Sequence, residues 1–137
     1  MNIFIDTSAF LAVLNANDRF HPLAKQNWGE ILSSDAVLFS SNYVIIETTA
    51  LLQHRFGMDD VRLFESEVMP VLEITWVDKA IHKQGMSALM AANRYDLSLV
   101  DCVSFEIMRQ VGIDSVFAFD AHFSDQGFKV IPRGKVP

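Results

Sequence analysis

Asn2-Ile3-Phe4-Ile5-Asp6-Thr7-Ser8 is the stretch on which the fold turns. Three apolar residues in a row, two of them β-branched and one aromatic, make a short strand covered on both faces. A half-exposed strand would alternate apolar and polar positions instead. The run closes at Asp6, and a helical pattern, Ser8 to Leu14, begins at once. A strand buried on both faces that feeds directly into a helix is how an α/β domain with a parallel sheet begins.

Further strands fall into two kinds. Ala36–Ser40 and Ser115–Phe119 carry the continuous apolar runs Val37-Leu38-Phe39 and Val116-Phe117-Ala118-Phe119. Leu72–Val77 alternates Leu72, Ile74 and Trp76 with Glu73 and Thr75, and Phe128–Ile131 places Phe128 and Val130 around Lys129. Alternation suits a half-exposed edge. Numbered along the chain, strands 1, 2 and 4 are therefore expected at the centre and strands 3 and 5 at the edges. Helices are expected over Pro22–Leu32, Tyr43–Phe56 with Gly57 as its stop, Asp59–Met69, Lys79–Arg94 and Ser98–Val111 with Gly112 as its end. Gly85 weakens the fourth of these. No repeat, low-complexity tract or linker divides the chain, so one α/β domain over residues 1–137 is expected.

The 137 residues are 50% hydrophobic and 20% charged, the balance of a folded domain and not of a disordered chain. The one cysteine, Cys102, excludes an intrachain disulfide and a cysteine-based zinc site, and its place beside apolar residues suits inert packing. A reducing, cytoplasmic location is the expectation. The start lacks a basic n-region and reaches Asp6 at once, so no signal peptide is expected. No apolar run approaches the ~18 residues of a membrane span. The net charge of −6, from 17 acids against 11 bases, argues against broad nucleic-acid binding, although Lys129, Arg133 and Lys135 gather near the C-terminus. It also raises the question of whether some acids surround a metal.

Two strands end in aspartate, Asp6 and Asp120. In open α/β sheets, ligands sit beyond the carboxyl ends of the strands. Either residue could instead be a plain helix N-cap. Glu47 shares its helical face with Tyr43, Val44, Ala50 and Leu51, and with His54 further on; a glutamate on such a face needs a partner or a cation. Asp101 falls in the first turn of a strongly apolar helix, where the helix dipole favours it with or without another role. Asp96 has the same two readings, cap or rim. Four carboxylates in one crevice raise one another's pKa, and a hard divalent cation resolves the conflict. That is a ligand set for metal-assisted phosphodiester hydrolysis. Other chemistries lack their signatures: there is no glycine-rich phosphate loop, no Gly-x-Ser-x-Gly elbow, and no zinc spacing among His21, His54, His82 and His122.

With these pieces in order, the sequence resembles a PIN domain, more specifically the VapC-type toxin ribonucleases. The matching motifs are Phe4-Ile5-Asp6-Thr7-Ser8, Glu47 after strand 2, Leu97-Ser98-Leu99-Val100-Asp101-Cys102, Phe119-Asp120-Ala121-His122-Phe123 and Gly127-Phe128-Lys129-Val130-Ile131. The resemblance spans essentially the whole chain. It implies a parallel five-stranded sheet in order 3-2-1-4-5, which places strands 3 and 5 at the edges, as the alternation argument requires. It makes Asp6, Glu47, Asp101 and Asp120 the acidic cluster, catalytic and metal-holding, with Thr7 and Ser8 as helpers and Asp96 at the rim. It implies Mg²⁺ or Mn²⁺ and RNA as substrate, at sites in tRNA or rRNA, leaving a 5′-phosphate and a 3′-hydroxyl. A cognate antitoxin that masks the site and a homodimer complete the implied picture. The apolar residues Phe56, Met58, Val61, Leu63 and Phe64 are too dense for one core face and offer a partner surface. Two rivals stand beside this reading: a PIN-fold nuclease or phosphohydrolase outside toxin–antitoxin systems, and a non-catalytic module that only binds RNA or protein. The acidic net charge departs from what an RNA-cutting face leads one to expect.

Overall fold

The computed structural model describes residues 1–133, so Lys135 of the C-terminal basic strip lies outside the described residues. Five strands, β1 (Asn2–Ile5), β2 (Val37–Ser41), β3 (Leu72–Thr75), β4 (Ser115–Phe117) and β5 (Lys129–Ile131), form one parallel sheet in the order β3-β2-β1-β4-β5. The central strands are those with continuous apolar runs. Ile3, Phe4 and Ile5 of β1 and all of β4 are buried, whereas β3 and β5 are half-exposed. Phe4 sits opposite Phe39 on one side and Val116 on the other, and Ile5 faces Phe117.

Among the described residues seven α-helices flank the sheet: α1 (Thr7–Leu14), α2 (His21–Ser33), α3 (Asn42–Phe56), α4 (Met58–Leu63), α5 (Lys79–Ala92), α6 (Leu99–Val111) and α7 (His122–Asp125). Their ends follow local chemistry. Pro22 lies in the first turn of α2, where its missing N–H is not needed. Gly57 and Gly112, both at positive φ, end α3 and α6. Asn93, in the left-handed region at φ 50°, stops α5 short of the expected Arg94.

Three expectations are corrected. The helix expected over Asp59–Met69 is broken: α4 ends at Leu63, a π-helical turn covers Phe64–Val68, and a 3₁₀ turn at Met69–Val71 carries Pro70. The wider turn buries both Phe64 and Val68, at 1% and 4% exposure, while Glu65, Ser66 and Glu67 stay in solvent. Phe64 therefore belongs to the core, and the exposed apolar surplus shrinks to Phe56, Met58 and Leu63. Strand β3 stops at Thr75 instead of Val77, because the Val77 N–H donates to Asn42 Oδ1 (2.8 Å) and leaves the ladder. Strand β4 stops at Phe117 instead of Phe119, for a reason that belongs to the site. Gly85 does not interrupt α5. It lies against α6, where a Cβ would come within 2.5 Å of Val103 Cγ2.

Candidate active site

The carboxyl ends of the two central strands β1 and β4 lie side by side, and the crevice opens there. It is lined by Asp6, Thr7, Ser8, Leu11, Glu47, Leu51, Arg55, Ser98, Asp101, Asp120 and His122, and encloses about 270 Å³.

Asp6 follows β1 directly and is 3% exposed. Its N–H donates to the Phe117 carbonyl (3.1 Å), which continues the β1–β4 pairing and fixes its backbone. One carboxylate oxygen accepts from the Ser8 N–H (3.1 Å) and the Ser8 hydroxyl (2.6 Å). Asp6 is thus the N-cap of α1 as well as a wall of the crevice, and the two readings of a strand-end aspartate are both realised. Burial, and then the neighbouring Asp120 carboxylate, push its pKa up to about 8, against the lowering effect of the Ser8 hydrogen bonds. Ser8 Oγ also accepts the Phe119 N–H (3.0 Å). This bond draws the chain away from the β4 ladder, so the strand ends early. One hydroxyl links the two strand exits. Thr7 is buried and accepts from the Thr48 hydroxyl (3.2 Å), tying α1 to α3.

Asp101 enters from the first turn of α6. Ser98 and Asp101 form a reciprocal capping box: the Asp101 N–H donates to Ser98 Oγ (3.0 Å) and the Ser98 N–H to Asp101 Oδ2 (3.2 Å). Burial raises the Asp101 pKa, and Asp120 adds to the rise, against the Ser98 backbone hydrogen bond. Asp120 Oδ1 accepts the His122 N–H (3.0 Å), and this turn swings the imidazole back over the acids. His122 Nδ1 lies 3.0 Å from Asp101 Oδ2 and 4.0 Å from Asp120 Oδ1. Its Nε2 is 3.9 Å from Asp96 Oδ2.

The structure therefore brings Asp6, Glu47, Asp101 and Asp120 to one crevice. Within it, one ligand atom each from Asp101, Asp120 and His122 lie within 4.8 Å of one another, so the acidic cluster could bind a metal ion. Hard carboxylate donors and a buried aspartate that keeps its proton unless a cation arrives both fit a divalent cation. Glu47 faces the cluster from α3 and is half-buried. Asp96 stays at the exposed rim, gripped by Arg94 through two hydrogen bonds (2.7 and 3.0 Å) that lower its pKa. His54 is exposed and takes no part in the lining; Arg55 does instead.

His122 and Arg55 are the residues that sequence reasoning passed over. His122 has no zinc spacing, but it stands two residues after Asp120, beyond the end of β4, where an Asx-type turn folds a side chain back. Arg55 repeats the Glu47–Leu51 interval once more along α3.

Residues 3–129 match the PIN domain family. The 23S rRNA-specific endonuclease VapC20 of Mycobacterium tuberculosis is 35% identical over 127 residues, 92% of this chain and 95% of that protein. The crystal structure of that protein, described as a Sarcin-Ricin loop cleaving toxin, superposes with a TM-score of 0.81 over 92% of this chain and 95% of the other. FitAcB from Neisseria gonorrhoeae shares the fold, with a TM-score of 0.66 at 16% identity over 95% of this chain and 96% of that one. A family match over residues 3–129, a relative at this identity, and edge strands read independently from their alternation agree: the chain belongs to the PIN-domain family, in its VapC type.

Proposed function

We propose that this chain is a Mg²⁺- or Mn²⁺-dependent endoribonuclease and the toxin of a VapBC-type toxin–antitoxin pair, acting as a single nuclease domain over residues 1–137. The observation that carries this reading is the buried Asp6, its pKa raised by burial and by Asp120, beside Asp101 and Asp120 at the open end of the sheet. Such a set is strained when ionised and relieved by a divalent cation. Asp6, Asp101 and Asp120 would hold the cation, with Glu47 opposite. When bound, the cation supplies Lewis-acid polarisation of the phosphodiester and eases deprotonation of the attacking water.

The chain's own residues do the rest. Ser8 holds the Asp6 carboxylate in one orientation while tethering the exit of β4. Thr7 anchors the start of α1 to α3, which carries Glu47. His122, as the tautomer protonated at Nδ1, donates to Asp101 and orients it. A nitrogen that donates this proton cannot also ligate, so His122 is a positioning residue in this reading. Glu47, across the crevice, orients water for attack on phosphorus.

The identity to a 23S rRNA-specific endonuclease makes 23S rRNA, and its sarcin–ricin loop first, the substrate to try. A cytoplasmic homodimer, held inactive by an antitoxin segment over the crevice, completes the proposal; no described helix is long and apolar enough to cross a membrane. The test is cleavage of an end-labelled sarcin–ricin hairpin with Mg²⁺, Mn²⁺ or excess chelator, by wild type and by Asp101→Asn. Metal-dependent cuts lost in the variant support the reading. RNA left intact by wild type in both metals, or cut equally by the variant, overturns it.

A further inference from the structure

Arg55 lines the acidic crevice together with Asp6, Glu47, Asp101 and Asp120, and among the described residues it is the one permanently cationic side chain in that lining. It stands on α3 eight residues after Glu47, with Leu51 midway. At about 3.6 residues per turn the three side chains stack along one helix face. Three of the four acids in that lining have other partners. Asp6 accepts from Ser8, Asp101 from Ser98 and His122, and Asp120 from the His122 N–H. Among the described residues Arg55 forms no ion pair, whereas Arg62 and Arg94 each do.

The chain carries a net charge of −6, and its crevice concentrates carboxylates. A polyanion meets repulsion there unless a cation receives it. Resting on the ribonuclease reading above, we propose that Arg55 is a substrate-binding residue. Its guanidinium takes the non-bridging oxygens of a backbone phosphate as the RNA strand enters the crevice, a geometry that suits its planar fork. The competing account is that Arg55 only complements the dipole at the last turn of α3. His54 supplies a basic side chain to that same turn without facing the crevice.

The experiment compares wild type, Arg55→Gln and Arg55→Lys in two assays. Cleavage kinetics are measured in Mn²⁺ on a labelled sarcin–ricin hairpin and a generic single-stranded RNA. Binding is measured by fluorescence anisotropy against salt in Ca²⁺, whose looser geometry supports cleavage poorly. Arg55→Gln is expected to raise KM roughly tenfold or more with kcat nearly kept. Its slope of log K against log salt is expected to fall by about 0.7, one phosphate's worth on a single strand. Arg55→Lys should keep the slope and recover only part of the affinity. Wild-type cleavage with an unchanged KM and slope in Arg55→Gln overturns this inference alone, and a lowered melting temperature in that variant then assigns Arg55 to the helix end. Wild type that neither binds nor cuts RNA overturns the ribonuclease reading and this inference with it.

Discussion

Replacing Asp6 with asparagine should remove a large part of the fold's pH dependence. In the unfolded chain Asp6 titrates at its ordinary 3.8, and in the folded, metal-free protein at about 8. Between these values the folded state holds a proton that the unfolded state has released. Stability is therefore full below about pH 4 and is lost as pH rises towards 8. One such group gives a slope of at most about 1.4 kcal/mol per pH unit. From pH 5 to pH 7 the loss is then at most about 2.7 kcal/mol, on the order of 10 °C in melting temperature at this chain length. Asp101, whose pKa is also raised by burial, adds in the same direction. The substituted asparagine would have no proton to release and would keep a carbonyl oxygen to accept from Ser8. Thermal melts in chelator from pH 5 to pH 8 should show wild type falling more steeply than Asp6→Asn, which keeps only the slope that Asp101 contributes, with the variant the more stable at pH 7.5. Mn²⁺ at a hundredfold excess over Kd should restore about 2.7 kcal/mol to wild type at high pH, and less at pH 5, where the cation must displace the proton. Parallel pH curves for the two proteins, without metal, would refute the claim that Asp6 is buried against its charge.

Asp101→Asn should abolish RNA cleavage while leaving the circular dichroism spectrum and melting temperature at or above wild type, since it removes one like charge from the crevice. Ser8→Ala leaves the Phe119 N–H without its acceptor and Asp6 with one donor fewer; a loss of about 1–3 kcal/mol is expected in chemical denaturation. Light scattering at micromolar concentration should report a homodimer. Charged substitutions at the exposed Met58 and Leu63 should give monomers, and an unchanged mass would move the interface elsewhere.

The edges of the sheet were legible because burial on one face or two leaves a direct mark on a strand. Ile3-Phe4-Ile5 has no polar position, and Leu72-Glu73-Ile74-Thr75 has two. Asp6 was legible as the residue that follows β1, whereas Asp120 lies three residues beyond the end of β4 at Phe117; the adjacency of the two strands still brings both to one crevice. What sequence could not give is set by partners far away in the chain. Strand β4 ends where it does because Ser8 captures the Phe119 N–H. His122 matters only once the turn at Asp120 aims its ring at Asp101. Arg55 rather than His54 reaches the crevice because a choice between neighbours on a helix depends on how far that helix is rotated against its support.

The contact between Gly85 and Val103 couples a surface helix to the chemistry. Val103 sits two residues beyond Asp101 on α6, so the thickness of one side chain on α5 sets where that carboxylate stands. A methyl group added there acts as a shim, prying the two helices apart and drawing Asp101 off its mark without altering any reactive group. This is a dimmer: activity can be turned down by degrees through a residue outside the crevice, whose own lining stays as it was.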